Sequence, residues 1–114
     1  MTFKTWFFSA VLIIGINSLF MTKAFSYTPE KQLNKRLATD IADFWQTGTF
    51  SSFQGVDNKR INYAAFISDQ TKNCLVISPG RSESYLKYKE LAFDLSALNI
   101  NIFIIDHRGQ GLSE

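Results

Sequence analysis

Two short apolar runs stand out in the second half of the chain, Cys-Leu-Val-Ile at 74–77 and Ile-Phe-Ile-Ile at 102–105. Their length, their β-branched residues and the Pro/Gly or Asp/Gly signals that close them predict strands buried on both faces. Between them Tyr88, Leu91, Ala92, Leu95 and Leu98 recur at steps of three and four, which predicts one apolar stripe on a helix. Two buried strands joined by a helix form a βαβ unit, whose crossover should be right-handed. Each strand runs into a glycine-bearing loop, Ser78-Pro79-Gly80-Arg81 after the first and residues 106–111 after the second. In open parallel sheets ligands sit beyond the carboxyl ends of the strands, so both loops should emerge on the functional side.

The first half is patterned differently. Residues 6–20 are mostly apolar and follow Lys4, and Ala24-Phe25-Ser26 supplies small residues around a possible cut. Residues 1–26 therefore read as a cleaved secretory signal, with an uncleaved membrane anchor as the alternative. Thr28 as N-cap and Pro29 as first helical residue predict a helix. It should be amphipathic over 27–48, with Leu33, Leu37, Ile41, Phe44 and Trp45 on one face and Gly48 ending it. Such a helix can lie on a membrane. Its mixed polar face, with Lys31, Lys35, Arg36, Asp40 and Asp43, favours packing against the protein. Residues 50–56 and 60–68 predict two strands of a hairpin about Asp57-Asn58-Lys59, with Ile61, Tyr63, Ala65 and Ile67 as the apolar face. The hairpin should form the antiparallel edge of the sheet, and residues 49–114 the α/β portion of the chain.

Composition narrows the function classes. The net charge of +2 is accounted for by Lys4 and Lys23; beyond residue 26, basic and acidic residues are equal in number. No basic patch suits nucleic acid. The single cysteine, Cys74, permits neither an internal disulfide nor a cysteine zinc cluster, and its place in a buried strand predicts a plain apolar role. No cofactor motif is complete: Gly109-Gln110-Gly111 is not continued to a dinucleotide fingerprint. A single histidine, His107, and scattered carboxylates make no metal site. Without residues 1–26 fewer than 90 residues remain. A domain of that size buries only about 60–65% of its unfolded surface, and a parallel sheet needs helices on both faces.

Two stretches resemble a known family. Residues 79–88, Pro-Gly-Arg-Ser-Glu-Ser-Tyr-Leu-Lys-Tyr, and residues 106–113, Asp-His-Arg-Gly-Gln-Gly-Leu-Ser, are similar to the opening part of α/β-hydrolases of the serine aminopeptidase and monoacylglycerol-lipase-like group, above all the bacterial lysophospholipases. The resemblance covers about residues 44–114. It implies a truncated α/β-hydrolase fold, consisting of an N-terminal hairpin plus the first βαβ unit of a mostly parallel sheet. It further implies a parent enzyme cleaving lysophospholipid or monoacylglycerol-like esters.

By that resemblance Gly80 and Arg81 occupy the oxyanion-hole position, with the Arg81 N–H as the donor. The wider group carries His-Gly at this turn, where this chain has Pro79-Gly80. Glu83 and Tyr88 match positions that brace loops, and Ser82 or Ser84 can cap the helix, with no base placed to activate either as a nucleophile. Asp106, Arg108, Gly109 and Gly111 read as architecture: a carboxylate accepting main-chain N–H groups, a guanidinium tying loops, and two glycines free to take positive φ. His107 reads as structural, because the family's catalytic histidine comes late in the chain. No Gly-x-Ser-x-Gly occurs, so no catalytic serine, acid or histidine is present. The expectation is thus an N-terminal fragment or early-terminated copy, inactive alone. It would be exported to the periplasm or inner membrane, with possible membrane association and a possible complementing C-terminal half. The alternatives are an exported non-catalytic binding protein and a decayed gene product.

Overall fold

A computed structural model describes residues 27–114; the expected signal segment lies outside the described residues. Seven main elements follow in the order α1 (Glu30–Leu37), α2 (Asp40–Gln46), β1 (Thr49–Gln54), β2 (Arg60–Phe66), β3 (Cys74–Ile77), α3 (Lys89–Ser96) and β4 (Asn101–Ile105). The four strands form one mixed sheet in the order β1-β2-β4-β3. β1 and β2 pair antiparallel as a hairpin, β2 runs antiparallel to β4, and β3 lies parallel to β4 with Leu75 opposite Ile102. The βαβ unit is therefore present, its two strands are direct neighbours, and the hairpin occupies one edge. No helix among the described residues is long and apolar enough to cross a membrane.

The expected single helix over 27–48 is two. Pro29 is the N-cap of α1 and not its first residue; Thr28 turns away and is buried. Its N–H and Oγ1 donate to the two carboxylate oxygens of Asp94 in α3 at 2.8 and 2.7 Å. The break falls at Thr39, whose φ of −126° and ψ of −104° are not helical. There the Thr39 hydroxyl donates back to the Lys35 carbonyl, a competition with the helical ladder that serine and threonine favour. Only Ile41 and Trp45 of the predicted stripe are buried, and Leu37 is exposed.

The helices cover one face of the sheet, and this decides burial in every strand. β4 alternates, with Ile102 and Ile104 fully buried and Phe103 and Ile105 half-buried. β3, expected to be buried on both faces, is the edge opposite the hairpin, and Val76 is 60% exposed. Cys74, expected inside, is exposed for the same reason. In β2 the face turned to the helices carries Ala64 and Phe66, not the Ile61–Tyr63–Ala65 set; Ile67 is 62% exposed. Ala65 is nevertheless buried on the opposite side.

The core is aromatic. Phe44 stacks on Phe66 with ring centroids 4.6 Å apart, and Trp45 tilts against Phe66 and Tyr85. Such pairs add about 0.5–1.5 kcal/mol each beyond the area they bury. Ala64, Ala92, Ile102 and Ile104 complete the cluster, with Tyr88, Leu95 and Ile77 at its margin. Leu91 and Leu98, expected on the inner stripe of α3, are exposed; Ala92 and Asp94 are the buried residues of that helix.

Candidate functional site

The loops after β3 and β4 leave the same end of the sheet and face each other across an open cleft of about 440 Å³. Arg81, Glu83, Arg108, Gly109 and Gly111 line it, together with Gln110. Asp106 and Tyr88 stand behind the lining and hold it in shape.

Asp106 is the anchor. It directly follows β4, is fully buried, and accepts from the Tyr85 N–H at 2.6 Å through one carboxylate oxygen and from the Leu112 N–H at 2.9 Å through the other. Its own carbonyl accepts from the Ser113 hydroxyl at 2.8 Å. One side chain thus fastens the start of the helical region after β3 to the turn after β4. The turn closes against it so tightly that a Cβ on Gly111 would stand 2.0 Å from Asp106 Oδ2, at a φ of +54° that side chains resist. Gly109 also takes positive φ, at +71°. Residues 112–114 then run back along β2: Asn62 donates to Ser113 Oγ and to the Leu112 carbonyl, and Glu114 N–H donates to the Arg60 carbonyl. Arg108 reaches the hairpin turn, where its guanidinium meets Asp57 at 3.1 Å, both side chains more than half exposed.

Glu83 organises the other loop. Its carboxylate accepts from the Gly80 N–H at 2.9 Å, from the Tyr88 hydroxyl at 2.6 Å and from the Lys87 ammonium. Those bonds, led by the one from Lys87, hold its pKa at about 2, well below the usual carboxylate range. The same contacts push the Lys87 and Tyr88 pKa values up. The Tyr85 phenol is raised by burial and then by the Asp106 charge. Glu83 N–H donates to Gln110 Oε1 at 3.2 Å, a direct bond from this loop to its neighbour across the cleft. Ser84 caps the short 3₁₀ turn Tyr85–Tyr88 by accepting from the Leu86 N–H, whereas Ser82 sits at φ +64°.

Gly80 and Arg81 are therefore not equivalent. The Gly80 N–H is committed to Glu83, while no acceptor among the described residues takes the Arg81 N–H. Sequence reasoning missed the pairing of Ser78 with His107, whose Oγ and Nε2 lie 2.9 Å apart and join the ends of β3 and β4. A signal was available: each is the first or second residue past its strand, and parallel neighbours bring such positions together. No carboxylate among the described residues bonds the other ring nitrogen, so the pair lacks the third member of a triad. Nor do the described residues gather three metal-ligating side chains.

Comparison with known proteins agrees with this end of the sheet. Residues 69–114, which hold β3, α3, β4 and both loops, match the family model described as serine aminopeptidase, S33. Over 73 residues the chain is 45% identical to lysophospholipase L2 of Escherichia coli strain K12, a match covering 64% of this chain and 22% of that protein; the corresponding protein of Escherichia coli O6:H1 matches equally. The probable lysophospholipase L2 of Haemophilus influenzae is 27% identical over 77 residues, 66% of this chain and 25% of its own length. The chain thus spans about a quarter or less of the curated relatives it matches. Over its βαβ unit and the two facing loops, the chain is similar to the serine aminopeptidase family model and to lysophospholipase L2.

Proposed function

We propose that this chain is the amino-terminal part of a lysophospholipase-like serine ester hydrolase, and that it does not turn over esters by itself. The observation that supports this is the loop after β3: Glu83 captures the Gly80 N–H, and among the described residues the Arg81 N–H has no acceptor at the carboxyl end of parallel strands. A preorganised N–H in that place is what a developing oxyanion needs. The attacking serine, its histidine and its acid would come from the complementing part, since the chain contains no Gly-x-Ser-x-Gly. The substrate class is a lipid ester, lysophospholipid or monoacylglycerol. The apolar stretch at 6–20 behind Lys4 supports export, with the domain on the periplasmic side or against the inner membrane.

The test is complementation. The purified chain with lysophosphatidylcholine should release no fatty acid above buffer. Mixed or co-expressed with the remaining three-quarters of the Escherichia coli relative, it should form a hydrolase. In that pair Arg81→Pro, which removes the N–H, should lower kcat about 10²–10³-fold, whereas Arg81→Ala, which keeps the N–H and loses only the guanidinium, should act on KM and leave kcat largely intact. Serine-dependent release by the chain alone would refute the reading.

A further inference from the structure

We infer that the cleft between the two loops binds the phosphate group of its ligand, with Arg81 and Arg108 as the recognising side chains. The inference rests on the ester-hydrolase reading only for the identity of the ligand, a glycerol-based phospholipid with one acyl chain. Three observations carry the site itself. First, both guanidinium-bearing residues line the same open cleft. Second, Arg81 makes no ion pair among the described residues, and Arg108 has only the exposed Asp57, a pairing of the kind worth little and readily shared. Third, the one carboxylate in the lining is already satisfied: Glu83 accepts from Gly80, Tyr88 and Lys87, and the Lys87 ammonium matches its charge. The cleft therefore carries an excess of positive charge from two planar forks of N–H donors, a geometry suited to phosphate oxygens.

Dimensions add a reason for a phospholipid over a neutral glyceride. In a lysophospholipid the ester carbonyl and the phosphorus are separated by one glycerol unit, a span of roughly 6–7 Å at ordinary bond lengths. That is about the reach of an extended arginine side chain from its own backbone. Arg81 can thus present its N–H to the carbonyl oxygen and its guanidinium to the phosphate of one molecule. A monoacylglycerol offers nothing to the second group.

Binding can be measured on the chain as it is, without any reaction, so its outcome is independent of the complementation assay. The probes are glycerophosphocholine, inorganic phosphate and glycerol, titrated calorimetrically and by the ¹H–¹⁵N signals of the arginine Nε–H groups. Glycerophosphocholine should bind saturably and move the signals of Arg81 and Arg108, and glycerol should do neither. Arg81→Gln and Arg108→Gln should each weaken binding roughly tenfold, with unchanged far-UV circular dichroism; Arg81→Lys should recover part of it. Tighter binding of glycerophosphocholine than of inorganic phosphate supports the lipid head group as the source, and equal binding supports a general phosphate site. Absence of saturable binding, or binding that survives both glutamine substitutions, overturns the proposal.

Discussion

The two loops that frame the cleft are built on opposite principles. The loop after β4 hangs on a carboxylate sealed from water: Asp106 is fully buried and reaches main-chain N–H groups on both sides of the cleft. The loop after β3 hangs on Glu83, a partly exposed carboxylate tied to a glycine N–H, a phenol and a lysine. A buried acceptor bonded to backbone cannot be removed without orphaning its donors, so the first loop is fixed architecture. The second is held by groups in reach of solvent and protons, and its Gly80 N–H is spent on that carboxylate.

Several substitutions would break or sharpen that contrast. The largest effect should come from the β4 loop. Gly111→Ala forces a Cβ into the Asp106 carboxylate at a left-handed φ and should cost at least about 3 kcal/mol, enough to abolish the cooperative thermal transition of so small a domain. Asp106→Ala leaves the Tyr85 and Leu112 N–H groups without their acceptor, at about 1–3 kcal/mol for each donor left buried, visible as a lower urea midpoint.

The β3 loop should respond to pH instead. Glu83 has a folded-state pKa of about 2 against an ordinary 4.5, so the folded chain takes up its proton less readily than the unfolded one. Its stabilising contribution is complete above pH 4.5 and disappears as pH falls toward 2. Urea midpoints of the native chain should therefore fall across that window, and Glu83→Gln should flatten the Glu83-dependent part of the fall. An identical slope in the variant would place the acid sensitivity elsewhere. The smallest effect belongs to the Arg108–Asp57 contact, exposed on both sides: Asp57→Ala should shift stability by less than about 1 kcal/mol in either direction, and less still in high salt.

Much of the site's layout was legible in the residue pattern. The apolar runs at 74–77 and 102–105 are parallel neighbours joined by α3, and both glycine-bearing loops stand at one end of the sheet. The bonds inside the site were less legible. A glutamate at 83 does not announce that it will accept from Gly80, Tyr88 and Lys87, because those contacts depend on the loop's path and not on spacing along a regular element. Ser78 and His107 meet only because β3 and β4 are in register. The Thr28–Asp94 bond escaped because a buried aspartate on a helix looks like a surface residue until a partner arrives from 66 residues away.

What the sequence by itself determined was local and periodic: where the strands and turns fall, that 30–46 and 89–96 are helical, though not that Thr39 breaks the first, and that positive φ at 109 and 111 is tolerable because glycine stands there. What only the tertiary structure decided was which side of each element is inside. In β2 both phases of the alternation are apolar, Ile61-Tyr63-Ala65 against Ala64-Phe66, so hydrophobicity alone could not choose between them. The choice fell to the set whose small alanine lets Trp45 and Ala92 approach and whose phenylalanine stacks on Phe44. Burial is a property of the opposing surface as much as of the residue, and helices on one face of the sheet leave β3 and Cys74 in solvent however apolar they read.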